Sequence, residues 1–140
     1  MNRKLAAFLI IPPILLGVAL LLVGTSWTED PVPPVPSSIH VRLIIDYQGF
    51  APNEEYRLLL PPGNQTVFAA MVRANLTLEK TGSGALVFVE AINGIRNNQD
   101  GNNRWWQFWV DGELAPIGAG SYILAEGVVV EWRYTSPRQI

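Results

Sequence analysis

Trp105, Gln107 and Trp109 stand at alternate positions in the run Trp105-Trp106-Gln107-Phe108-Trp109-Val110. Successive side chains of an extended strand point to opposite faces. These three therefore share one face, and Trp106, Phe108 and Val110 share the other. Two aromatic rings side by side, with an amide donor and acceptor between them, suit a flat, partly polar ligand or the apolar ridge of a partner protein. They do not suit catalysis, because neither an indole nor an amide titrates near neutral pH. Tyr122, in Gly118-Ala119-Gly120-Ser121-Tyr122, and the polar loop Asn97 to Asn103 are expected at the rim of this face. Large aromatics also dominate cores, so the binding reading depends on whether another element covers the three side chains.

The remaining chemistry-bearing residues form no catalytic set. The chain has no Cys, which removes disulfides, thiolate nucleophiles and Cys-based zinc sites together. Its single His, His40, lies on the polar side of an apolar-alternating run, and one ligand does not make a metal site. The loop around Asp100 has the look of a calcium loop but lacks the Glu at the twelfth position that an EF-hand needs. No Ser/His/Asp set, carboxylate pair or Gly-rich phosphate loop can be placed. The expectation is a protein that is not an enzyme and holds no metal. A net charge of −2 gives no electrostatic footing for nucleic acid. Asn64-Gln65-Thr66 and Asn75-Leu76-Thr77 match the N-glycosylation sequon, a triplet that often arises by chance and is read as chance, with Asn75 the more accessible acceptor should the host glycosylate.

The elements that position the aromatic run fall into four regions. Residues 1–24 read as a transmembrane signal anchor. Leu5 to Val23 carries no charge and as a helix spans about 28 Å, close to the hydrocarbon thickness. Arg3 and Lys4 precede it and Glu29 and Asp30 follow, so the positive-inside rule places the N-terminus in the cytoplasm and the rest outside the cell membrane. The run exceeds the roughly 7–15 residues of a cleaved signal core, although Gly24, Thr25 and Ser26 leave a cleavage alternative. Pro12-Pro13 should kink the helix. Residues 25–38 hold Pro31, Pro33, Pro34 and Pro36 and read as an extended, semi-rigid spacer. Residues 39–135 are the folded domain and 136–140 a tail.

Within the domain, Ile39, Val41, Leu43, Ile45 and Tyr47 alternate along a first strand. Glu55 to Leu60 is a second strand, stopped by Pro61-Pro62-Gly63. Val67, Ala70, Met71 and Ala74 make one helical stripe, capped by Asn64 or Thr66 and ending near Asn75-Leu76. Ala85 to Ile92 predicts a strand that buries Leu86, Phe88 and either Ala91 or Ile92. Trp105 to Val110 leads into an Asp111-Gly112 turn. Gly127 to Tyr134 closes the domain with Val128, Val130, Trp132 and Tyr134 on one face. The order β-β-α-β-β-β, one helix against a mixed sheet, predicts an α+β fold of β-grasp type.

Four blocks of the sequence carry a resemblance: Ala91-Ile92-Asn93-Gly94-Ile95, Trp105 to Gly112, Gly118 to Tyr122, and Glu126-Gly127-Val128-Val129-Val130-Glu131-Trp132-Arg133-Tyr134. In this order they resemble the transcobalamin-like C-terminal domain family, a ligand-binding β-grasp group, over about Ile39 to Tyr134. The resemblance implies an extracytoplasmic binding domain, often tethered to a membrane, and brings forward a corrinoid as a ligand class. The chain lacks the α/α helical domain that supplies the other half of the corrinoid site in transcobalamin, and it has Val128 where the family pattern often has Asp. No ligand residue carries over. The functional expectation is a membrane-anchored binding domain for a small ligand or partner through Trp105, Gln107, Trp109 and Tyr122. The alternative is an accessory or structural subunit of a membrane or cell-surface assembly, with the anchor helix and aromatic face docking on neighbours.

Overall fold

Strand β1 (Ile39–Asp46) is an interior strand of the main sheet and is apolar at every second position. In the computed structural model, which describes residues 29–137, Ile39, Val41, Leu43, Ile45 and the following Tyr47 are all buried on one face. β1 pairs antiparallel with β2 (Glu54–Leu60), with Val41 opposite Leu58. On its other side it pairs in parallel with the last strand, numbered β8 (Val129–Thr135), with Leu43 opposite Val130. A parallel pair needs a long crossover, and the rest of the fold is built into it.

That crossover supplies α1 (Val67–Arg73), β3 (Leu78–Thr81), β4 (Phe88–Ile92), β5 (Ile95–Arg96), β6 (Trp105–Val110) and β7 (Glu113–Leu114). The main sheet runs β2-β1-β8-β6-β7, and a smaller sheet runs β3-β4-β5. The domain is therefore mixed α+β, mostly sheet, with one α-helix among the described residues. Val67, Ala70 and Met71 of α1 and Val87, Val89 and Ile92 at β4 join the inward residues of the main sheet in one core. The helix and the small sheet thus cover the same face of the main sheet.

Local chemistry sets the boundaries. Of the two cap candidates Thr66 does the capping: its Oγ1 accepts from the Ala69 N–H at 3.1 Å. The helix stops at Ala74, and Asn75 turns left-handed at φ 58°. Asp111 and Gly112 both take positive φ, as the two-residue hairpin between β6 and β7 requires. The Asp111 carboxylate also accepts from the Val129 N–H at 2.8 Å, which ties this turn to the start of β8.

The small sheet departs from the expectation. Leu86 and Phe88 were expected inside, yet they are 82% and 52% exposed, and Val87 and Val89 are buried instead. Gly82 and Gly84 adopt positive φ and wind Gly84–Leu86 into a single 3-10 turn, so β4 starts at Phe88 with the opposite parity. Both Ala91 and Ile92 are buried, beside an irregularity in the β3–β4 pairing at Glu79/Lys80. β3 itself was not expected: Leu-Glu-Lys-Thr has one apolar residue and no alternation. The two-residue strands β5 and β7 are too short to read from pattern.

Residues 29–38 are exposed and carry neither helix nor strand. Among the described residues no helix is long and apolar enough to cross a membrane. The expected span at residues 5–23 and its Pro12-Pro13 kink lie outside the described residues, as does most of the tail.

Candidate functional site

β6 divides its side chains as its alternation demands. Trp106, Phe108 and Val110 are buried, and Trp105, Gln107 and Trp109 are half-buried on the opposite, outer face of the main sheet. The inner set is a tight aromatic group. Trp106 packs edge-on against Tyr47 at 5.6 Å and lies 5.1 Å from Tyr134, while Phe108 lies 4.8 Å from Trp132. The Trp106 indole N–H donates to the Ile95 carbonyl at 2.8 Å.

On the outer face β8 supplies the neighbours. Trp109 lies opposite Glu131, Gln107 opposite Arg133, and Trp105 opposite Thr135. Arg133 reaches diagonally and sets its guanidinium 4.3 Å from the Trp109 ring centroid. Two hydrogen bonds to Glu131, both 2.9 Å, hold it there. The bond to Glu131 raises the Arg133 pKa above its ordinary value, so the group stays charged. Gln107 spends its amide N–H groups on the carbonyls of Thr135 and Ser136, at 3.3 and 3.4 Å, and keeps its oxygen as an acceptor. A shallow depression of about 700 Å³ opens beside Trp109, walled by Gln107, Glu113, Leu114, Arg133 and Ser136. This face thus offers an aromatic ring, a fixed cation, an amide acceptor and the Glu113 carboxylate.

Two expectations about this face are corrected. Trp105 and Trp109 are not side by side. They stand four positions apart, about 13 Å at roughly 3.3 Å per residue, and the group beside Trp109 is Arg133. Tyr122 does not join them: its ring packs edge-on against Phe108 on the inner face. The reason lies in α1, whose first N–H groups need acceptors. Val67 and Phe68 donate to the carbonyls of Tyr122 and Ala119, both at 3.0 Å, which binds the Gly118–Tyr122 segment to the helix side.

The Asn-rich loop is structural as well as polar. Asn97 accepts from the Trp106 N–H at 2.7 Å and donates to the Val89 carbonyl at 2.9 Å, stitching β6 to β4. Asn102 donates to the Tyr134 hydroxyl at 3.0 Å. His40 is exposed and pairs with Glu126 at 3.1 Å. Among the described residues no three His, Asp or Glu side chains gather as metal ligands. Asn64 and Asn75 are both exposed, and the Asn64 sequon contributes its Thr66 as the helix cap. The alternation pattern identified the outer face but not Arg133 as its cation. The register that brings Arg133 to Trp109 was not legible, although Glu131-x-Arg133 on a strand is a pattern that pairs the two charges on one face.

A small α+β domain with one helix and a second sheet on the inner side of a mixed sheet is a fold shared with known structures. Residues 64–136 match DUF4430, a domain of unknown function, and the chain belongs to that family. A candidate metal-binding protein from Ruminococcus gnavus is similar in structure, with a TM-score of 0.58 at 13% identity over 71% of this chain and 99% of that one. Haptocorrin in complex with cobinamide is similar at a TM-score of 0.56 and 20% identity. That likeness covers 73% of this chain and 26% of the haptocorrin chain. No curated protein matches the sequence.

Proposed function

We propose that the chain is a tethered, non-catalytic binding domain of β-grasp type, related in fold to the transcobalamin-like group, that holds a flat, partly polar small molecule on the outer face of its main sheet. The observation that carries this reading is the outer row of β6. Trp105, Gln107 and Trp109 stay half-exposed while α1 and the small sheet both cover the opposite face. A ring set against Trp109 and Arg133 gains stacking and electrostatic attraction, and the Gln107 oxygen offers a fixed hydrogen bond. The charge pattern around residues 5–23 supports a membrane tether with the domain outside. A corrinoid is the first ligand class to examine, since the haptocorrin relative in fold was solved with cobinamide. The metal-binding description of the other relative finds no support in a donor cluster among the described residues.

Purification of the intact chain in mild detergent, with mass spectrometry of what it retains and a titration with added cobinamide, tests the proposal. Retention of a planar small molecule, or saturable cobinamide binding, supports it. Retention of a stoichiometric protein subunit alone overturns it and favours the accessory-subunit alternative.

A further inference from the structure

The main sheet ends on one side in β7, two residues long, and on the other in β2, seven residues long. No bulge interrupts the pairing of β2 with β1, and β2 holds no Pro and the run Leu58-Leu59-Leu60. Which of its backbone groups face outward follows from β1. The Arg42 N–H donates to the Val128 carbonyl at 3.0 Å, and the His40 carbonyl accepts from the Gly127 N–H at 2.8 Å, so the even positions of β1 turn toward β8. Its odd positions turn toward β2 and meet Glu54, Tyr56, Leu58 and Leu60. The N–H and C=O groups of Glu55, Arg57 and Leu59 therefore point away from the sheet, and among the described residues no other strand or loop backbone bonds them. An open row of this kind is a template for another strand.

The side chains of the same three residues are open to solvent: Leu59 is 46% exposed, and the Arg57 and Glu55 side chains are 85% and 44% exposed. Charges on an edge usually keep other strands away. Here they are opposite in sign and two positions apart, so the placing of a two-fold axis decides whether they repel or match. Antiparallel pairing about an axis at Tyr56 sets Glu55 of one copy opposite Arg57 of the other, and the symmetry makes the same pair twice. An axis at Glu55 or Arg57 sets like charges face to face. An axis at Leu58 puts Pro61, which has no N–H, opposite Glu55. The Arg57 charge is little used within the chain, since Glu55 is held at 2.9 Å by Arg42 and lies 4.0 Å from Arg57.

We propose that two copies of this chain pair through β2, antiparallel about Tyr56, into one continuous sheet joined by two cross-strand Glu55–Arg57 pairs. β1 and β8 separate β6 from the join, so the dimer does not depend on ligand binding at the outer face.

The test measures the mass of the full chain in mild detergent by sedimentation over a range of concentrations. The unaltered chain should be a dimer that dissociates on dilution. Glu55→Arg and Arg57→Glu each turn both cross-strand pairs into like charges, and each should weaken the dimer about tenfold or more. Mixed together, the two variants restore opposite charges at both positions and should pair with each other. The chain has no Cys, so single cysteines report the register. Two Tyr56→Cys copies face each other across the axis with Cα atoms about 4.5 Å apart, within disulfide reach, and should cross-link under a mild oxidant. Two Leu59→Cys copies lie six positions out of register, about 20 Å, and should not. The Trp105→Ala/Trp109→Ala variant should dimerise as the unaltered chain does, so failure of the outer-face reading leaves this one standing. An unaltered chain that is monomeric at every concentration overturns the proposal. A dimer that survives Arg57→Glu undiminished also overturns it, because the contact then lies elsewhere, as in the N-terminal apolar run. Equal cross-linking of the two cysteine variants does the same, and that comparison decides the matter even if a charge variant fails to fold.

Discussion

The Arg133 guanidinium sits 4.3 Å from the centre of the Trp109 ring while Glu131, on the same strand as Arg133, grips it with two hydrogen bonds. A carboxylate fixes the cation and the cation is laid against the aromatic ring. This turns a strand of alternating side chains into a surface with defined chemistry. Arg133→Ala frees Glu131 and uncovers one side of Trp109. The half-buried position limits the stability loss to about 1 kcal/mol or less, whereas the tryptophan emission of the chain, to which Trp109 is one of five contributors, should shift measurably. A melting curve and an emission spectrum of the same sample separate the two effects.

The two faces of β6 should differ sharply in their contribution to stability. Trp106 is 5% exposed, touches Tyr47 and Tyr134, and bonds to Ile95. Trp106→Ala should cost about 3–5 kcal/mol, and Trp105→Ala, on the half-exposed face, about 1 kcal/mol or less. Urea denaturation of both variants checks the order, and equal losses would contradict the burial pattern.

Asn97 should matter more than its place in a polar loop implies. Asn97→Ala leaves the Trp106 N–H and the Val89 carbonyl without their partner. Stranded groups of this kind cost about 1–3 kcal/mol. Asn97→Asp keeps the acceptor for Trp106 but sets a carboxylate oxygen against the Val89 carbonyl, so it too should lose stability relative to the unaltered protein in a denaturation series.

Acid should weaken the domain through carboxylates at its surface. Glu55 is held below its usual pKa of 4.5 by its hydrogen bond to Arg42, and Glu126 is held below it chiefly by the His40 backbone N–H. Both folded values lie under the unfolded one. The stabilisation is therefore complete above pH 4.5 and is lost as the pH falls through the folded values. Urea midpoints should decline as pH is lowered below 4.5, and Glu126→Gln should make that decline shallower.

Much of this fold was legible because the polar residues of β1, β6 and β8 fall on one parity in each strand, and the period-two geometry of a strand then assigns faces without knowledge of the neighbours. Trp106, Phe108, Val130, Trp132 and Tyr134 went inside for that reason. The failures share a cause. Leu86 and Phe88 were assigned by an alternation that two positive-φ glycines interrupt. β3 has too little apolar pattern to declare itself and forms because β4 offers it an edge. Tyr122 is expected at the rim of the outer face because its segment follows the β6 turn, but the need of α1 for acceptors draws that segment to the inner side. The Trp109–Arg133 pair depends on the register of two strands some twenty residues apart in the chain, which no local pattern encodes.

The outer face of β6 binds and the inner face holds the fold together. The decisive comparison is of the intact chain with its Trp105→Ala/Trp109→Ala double variant, each purified identically and assayed for the small molecule it retains and for its melting temperature. The variant should melt within a few degrees of the unaltered chain and retain at least tenfold less of the molecule. Undiminished retention by a variant that folds just as well would contradict it.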